Sequence, residues 1–214
     1  MRATAHYITK DTILSRSIDY YFAPHSPWTY LGHGRLLDIA GAAGARLRVL
    51  PVDLGGKVFP ISGGLPLAKR APQRQAYRLV ELRRYSELLG VPLNLHPRYF
   101  PVASDDAARL VIAVDLHDGT QAALKIAGAV FAAVWAQERN IADAKVLAEL
   151  LAECGLDAGR LDYSYSQAAQ ERYEANTQAA IDAGVFGAPT YVVDGEIFWG
   201  QDRLDFVERK LQST

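Results

Sequence analysis

Four stretches of the 214-residue chain hold residue types that could do chemistry. In Ser26-Pro27-Trp28-Thr29 a serine precedes a proline, the pattern of a helix N-cap followed by the first helical position. Free backbone N–H groups and the positive end of the helix dipole favour an anion there, so Ser26 could cap the helix or donate its hydroxyl to a bound anion. Gly187-Ala188-Pro189-Thr190 puts a proline at the start of a β-prone run, with the preceding residue held extended. A cis bond would present the Ala188 backbone beside the helix start, whereas a plain structural proline would only open the strand. Gln201-Asp202 precede or open a last amphipathic segment, where free N–H groups could take a carboxylate and Asp202 could pair with an ammonium. By itself Asp202 also reads as an N-cap or first-turn acid. The fourth stretch, residues 54–70, is rich in glycine and carries Lys57, Gly64 and Lys69.

Other chemistry is excluded by what the chain lacks. A single cysteine, Cys154, rules out an intrachain disulfide and any redox motif needing two thiols. The five histidines have no metal-ligand spacing, and no metal is expected. With 23 Lys and Arg against 24 Asp and Glu, the net charge of −1 gives no basic footprint for nucleic acid. Half the residues are apolar, enough for a sizeable core, yet no window reaches the ~18 apolar residues of a membrane span. Residues 1–16 lack the apolar core of a signal peptide. A soluble, cytoplasmic protein without membrane or nucleic-acid partners is expected.

The elements that must position these residues follow from periodicity. Ser17 to Ala23 predicts a strand, Ser26 to about Gly41 a helix with Leu31, Leu36, Leu37 and Ile39, and Leu47 to Val52 a second strand. A right-handed crossover makes these strands parallel. Residues 54–70 predict a long loop, and Pro72 to about Glu171 is helical in pattern throughout. Thr190–Val193 and Glu196–Trp199 flank Asp194-Gly195, a strong hairpin signal, and Leu204, Val207 and Leu211 mark one face of a closing helix. The order βαβ, helical insertion, ββα predicts an α/β, thioredoxin-like domain with an all-helical insertion. Its segments would be 17–70 and 172–214 for the domain, 71–171 for the insertion, and 1–16 for an N-terminal extension.

From about Ser17 to Leu211 the chain is similar to the 2-hydroxychromene-2-carboxylate isomerases, the glutathione-dependent branch of the DsbA-like family that includes the kappa-class glutathione transferases. The resemblance rests on Tyr21-Phe22 before Ser26-Pro27-Trp28-Thr29-Tyr30-Leu31, on Leu54-Gly55-Gly56, on Gly184 to Thr190, and on Phe198-Trp199-Gly200-Gln201-Asp202-Arg203-Leu204. It implies glutathione as cofactor, with Ser26 holding its sulfur, the Ala188 backbone its cysteinyl part, and Gln201 and Asp202 its γ-glutamyl end. Gly64 aligns with an asparagine that contacts glutathione in kappa-class enzymes, and Lys57 or Lys69 could meet the glycyl carboxylate. The implied reaction is cis/trans isomerisation of an intermediate of aromatic-ring breakdown: the glutathione thiolate adds to an enone, a bond rotates, and the thiolate leaves. A small aromatic substrate could lie among Trp28, Tyr30, Phe59, Tyr85, Phe100 and Trp199, residues that could equally be core. No histidine is placed to act as a base for Ser26, and the adjacent His25 is expected to be a loop residue. The resemblance also implies a homodimer. A kappa-type transferase, or a glutathione-binding protein without turnover, would share every one of these residues.

Overall fold

The structure, a computed structural model, describes residues 16–213. Strands β1 (Ser17–Phe22), β2 (Arg46–Pro51), β3 (Thr190–Val193) and β4 (Glu196–Trp199) form one sheet in the order β2-β1-β3-β4. β1 pairs parallel with β2, Tyr20 opposite Val49, and antiparallel with β3, Tyr20 opposite Tyr191. The parallel pair is joined through helix α1 (Pro27–Ala42), as the crossover requires. At the β3–β4 hairpin Asp194 and Gly195 both have positive φ, 51° and 80°, the backbone that a two-residue turn between twisted strands demands.

Alternation along β1 divides the core. Ile18, Tyr20 and Phe22 face one side, packed with Leu36 and Ile39 of α1, Phe131 of α5 (Thr120–Trp135), and Leu204 and Val207 of α9 (Leu204–Gln212). Tyr21 faces the other, with Leu50, Val52, Val185 and Ala180, the last from α8 (Gln167–Asp182). Both faces of β1 are therefore buried from Tyr20 to Phe22, which explains that unbroken aromatic run, while Asp19 before it pairs with Arg48. Between β2 and α8 come α2 (Phe59–Ser62), α3 (Pro72–Leu89), α4 (Asp105–Asp118), α5, α6 (Ala144–Glu153) and α7 (Gly159–Ser164). Helix α5 is the spine of this block: from Ala123 to Trp135 nine of its residues are buried, and it packs against α1, α4, α6 and β2.

The chain is thus an α/β thioredoxin-like domain with a helical insertion, as its element order predicts. Three local features differ from the sequence-based expectation. Residues 54–70 are wound rather than open: Leu54–Val58 is a π-helical turn, α2 follows, and Leu67–Lys69 is a 3-10 turn. Asp53 caps the first of these, accepting from the Gly56 N–H at 2.7 Å. Such single turns close on local hydrogen bonds and carry no apolar periodicity. Helix α8 runs through the expected boundary at residues 171 and 172; it buries Asn176 and Thr177 beside small alanines, so its apolar signal is faint. The second strand is Arg46–Pro51, one residue earlier than expected. Of the expected N-terminal extension, residues 1–15 lie outside the described residues.

Candidate active site

Ser26 caps α1. Its backbone is extended, and its Oγ accepts from the Thr29 N–H at 3.3 Å while Pro27 takes the first helical position. The Ala188–Pro189 bond is cis, and the Ser26 hydroxyl donates to the Ala188 carbonyl, also at 3.3 Å. The strand-opening proline and the helix start, 162 residues apart in sequence, therefore meet. Both bonds of the hydroxyl are at the long end of the range, so turning it toward a better acceptor costs little. Ser26 is 7% exposed, Ala188 8%, and the Ala188 N–H donates to no described residue. Capping and anion-holding are compatible here, because the same oxygen lies at the positive end of the helix and bonds to Ala188, which lines a cleft that Ser26 itself does not line.

That cleft has a volume of about 540 Å³ and opens between α1, α3 and the segment after β4. Trp28, Ala188, Trp199, Gln201 and Asp202 line it. Gly200 enters the 3-10 turn Gln201–Arg203 at φ +101°, where a Cβ would stand 2.5 Å from Asp202 Oδ1; glycine is what permits this approach. Asp202 is therefore not the N-cap of α9, a place held by Arg203. It lies inside the preceding turn, its carboxylate 3.5 Å from the Arg203 guanidinium and more than a third exposed. Gln201 is 2% exposed, and neither its Oε1 nor its Nε2 hydrogen-bonds within the protein. Its Cβ sits against Gly32 of α1, where a methyl group would come within 2.7 Å of it and 3.0 Å of the Tyr191 hydroxyl. An amide buried with both ends unmet beside a cleft is a cost to the fold that a polar ligand reaching it would relieve.

The remaining expected residues divide. Trp28 and Tyr85 meet edge to face across the cleft, ring centroids 6.1 Å apart, and Trp199 forms another wall, packed on Phe186. Tyr30, Phe59 and Phe100 do not line it. The Tyr30 hydroxyl donates to the Pro92 carbonyl at 2.7 Å, and Phe59 packs beneath Gly64, where a Cβ would meet its ring at 2.2 Å. Phe100 packs against Trp135 at a tilt, ring centroids 4.8 Å apart. Gly64 and Lys69 are likewise absent from the lining, and Lys57 belongs to a separate polar cavity of about 200 Å³ with Asp53, Asp105, Arg109 and Glu174. His25 is a loop residue whose Nδ1 is 2.7 Å from Ser104 Oγ, and burial pushes its pKa down. Among the described residues no cluster of His, Cys, Asp or Glu is placed to hold a metal, and no helix is long and apolar enough to cross a membrane.

Apart from Tyr85, the α3 wall of the cleft is not read from the sequence. Arg74, Tyr77, Arg78 and Glu81 of that helix line the cleft, with Arg70 just before it. The signal was present as arginines four apart at 70, 74 and 78, which puts Arg74 and Arg78 on one helical face. A polar helix with only Leu82 buried reads as a solvated surface unless its partner is known.

Residues 17–212 match the DSBA-like thioredoxin domain. A 2-hydroxychromene-2-carboxylate isomerase of Pseudomonas putida is 33% identical over 193 residues, 89% of this chain and 92% of its own length. One from Sphingobium xenophagum is 30% identical over 199 residues, 92% and 99% of the two chains. A solved structure of 2-hydroxychromene-2-carboxylate isomerase superposes with a TM-score of 0.77 at 30% identity, covering 92% of this chain and 94% of that one.

Proposed function

The chain belongs to the DsbA-like thioredoxin family, beside the 2-hydroxychromene-2-carboxylate isomerases, and we infer that it is a glutathione-dependent isomerase converting 2-hydroxychromene-2-carboxylate to trans-o-hydroxybenzylidenepyruvate. The observation that carries the glutathione part is the buried, unpartnered amide of Gln201, on the same cleft wall as Asp202 and Ala188. These residues fit the γ-glutamyl end of the tripeptide: the Gln201 amide offers a donor and an acceptor, and the Asp202 carboxylate suits an ammonium. The free Ala188 N–H and its carbonyl suit a peptide backbone laid alongside.

Glutathione supplies, when bound, a thiol nucleophile that adds reversibly to the β-carbon of an unsaturated carbonyl and so lets a C=C bond rotate. Ser26 makes that thiol acidic. The N-terminus of α1, worth about 1–2 kcal/mol to an anion, lowers a neighbouring thiol pKa by about 0.7–1.5 units, and a hydroxyl donor adds to it. Against a free value of ~8.5, the thiolate share at pH 7 rises from about 3% to roughly 14–50%. Ser26 keeps its own proton, since its hydroxyl donates to the Ala188 carbonyl and the His25 Nδ1 is engaged with Ser104. Trp28, Tyr85 and Trp199 give an aromatic ring a place to lie and hold water off the reacting atoms.

Dependence on reduced glutathione suits the cytoplasm, and the substrate suits bacterial breakdown of naphthalene-like rings. A second copy of the chain is the partner we propose, supported by the exposed Val80 and Leu88 on α3. The test is incubation with the chromene with and without glutathione while total thiol is followed. Turnover that needs glutathione and conserves thiol is the expected result. Thiol consumed in step with product would make the protein a kappa-type transferase, and glutathione binding without turnover would leave it a binding protein.

A further inference from the structure

The cleft wall formed by α3 carries charge that the protein does not neutralise. Four arginines line the cleft, Arg70, Arg74, Arg78 and Arg203, against two carboxylates, Glu81 and Asp202. Each carboxylate already has an arginine: Glu81 pairs with Arg84 at 2.6 Å and Asp202 with Arg203 at 3.5 Å. Arg70 gives its Nε–H to the Leu65 carbonyl. Among the described residues no carboxylate or carbonyl pairs with Arg78. Its guanidinium instead lies on two aromatic rings, Cζ 5.2 Å from the Phe100 centroid and 5.5 Å from that of Trp135. Contact with two rings restrains the guanidinium, and its N–H groups have no acceptor among the described residues.

Two further features give that edge a purpose. Phe100 and Trp135 are tied to His25, the residue before Ser26: Phe100 packs on the His25 ring, and Trp135 Nε1 donates to the His25 carbonyl at 3.3 Å. Arg78 is thus held at the end of the cleft where the reacting sulfur would lie. Burial, with Arg70 nearby, pushes its pKa down to about 10, so it stays charged at neutral pH without a counterion to offset its lost hydration. An anion entering the cleft would supply one.

We propose that Arg78 binds the carboxylate of the substrate, so that the protein selects aromatic compounds bearing a carboxylate next to the reacting ring over neutral ones of the same shape. This names the selecting group for the isomerase reading above and rests on it. Bidentate pairing to a guanidinium held against two rings would fix the orientation of the substrate ring as well as its affinity, with Trp28 and Tyr85 offering the facing surfaces.

The test compares chromone-2-carboxylate, a stable planar probe, with neutral chromone, by quenching of the fluorescence of Trp28 and Trp199 in glutathione-saturated protein. Wild type should bind the carboxylate at least about tenfold more tightly than chromone. Arg78→Met, which keeps an unbranched stem on the two rings, should lose about 10- to 100-fold for the carboxylate while chromone and glutathione affinities stay within about twofold; Arg78→Lys should fall between. Equal loss for both probes would mean that Arg78 only packs, and would overturn the proposal. So would lost glutathione affinity with the probe unaffected, since the guanidinium would then serve the glycyl carboxylate of glutathione. Wild type that does not discriminate between the probes overturns it whatever the turnover. Discrimination without turnover of the chromene overturns the isomerase reading alone and leaves the carboxylate site standing.

Discussion

Replacing Gln201 by leucine should move stability and affinity in opposite directions. Gln201 is 2% exposed, with both polar atoms of its amide unbonded, so without ligand the fold bears the cost of burying them, about 1–3 kcal/mol for each unpaired group. Leucine has nearly the same bulk and no polar atoms, and Gln201 Cβ already rests closely against Gly32, with the unbonded Tyr191 hydroxyl nearby. We expect Gln201→Leu to gain about 1–2 kcal/mol in the absence of glutathione, a rise in Tm of roughly 2–4 °C per kcal/mol for a chain of this size. Glutathione should bind about tenfold or more weakly, because a charged end of the tripeptide loses its partner. At a concentration one hundred times the wild-type Kd, glutathione stabilises wild type by about 2.7 kcal/mol and a tenfold weaker variant by about 1.4 kcal/mol. Thermal melts of both proteins with and without glutathione read all of these quantities. A variant that melts lower than wild type and keeps its full glutathione-induced shift would refute the reasoning, since the amide would then serve the fold.

Three other outcomes are expected. Ser26→Ala should lower turnover at saturating glutathione by about two orders of magnitude and leave glutathione affinity within about tenfold, at a stability cost near 1 kcal/mol for the lost cap; unchanged turnover in a steady-state assay would leave Ser26 a cap alone. Asp202→Asn should weaken glutathione about tenfold with little effect on saturated turnover; calorimetry showing unaltered affinity would return the carboxylate to Arg203 as its only partner. His33, buried with Nε2–H donating to the Leu124 carbonyl, has its pKa pushed down to about 4 by burial, below the ~6.5 it has when unfolded. Its contribution is complete above pH 6.5 and is lost as pH falls toward and through 4, on the order of 2–3 kcal/mol in all; a urea series should show this slope reduced in His33→Gln, and an identical slope would mean that other groups set it.

Much of this architecture is legible in the residues, for identifiable reasons. Ser26-Pro27 and Asp194-Gly195 act locally, through a cap and a positive-φ turn, so the helix start and the hairpin can be placed without tertiary information. Trp28 and Tyr85 could be named as possible cleft residues, but sequence could not separate them from Tyr30, Phe59 and Phe100, because an aromatic side chain reads alike whether it lines a cleft or fills a core. The turns within residues 54–70 stayed hidden because local hydrogen bonds, not apolar spacing, define them. Arg78 was invisible for a different reason. Its meaning depends on two rings, Phe100 and Trp135, brought from 22 and 57 residues further along the chain.

The central claim is that the start of α1 and Ser26 make a bound thiol acidic. The most direct measurement is a pH titration of the ultraviolet absorbance of the glutathione thiolate, in the complex with wild type and with Ser26→Ala. The bound thiol should be about 0.7–1.5 units more acidic than free glutathione, moved part of the way back in the variant. A bound thiol that titrates like free glutathione in wild type would contradict it.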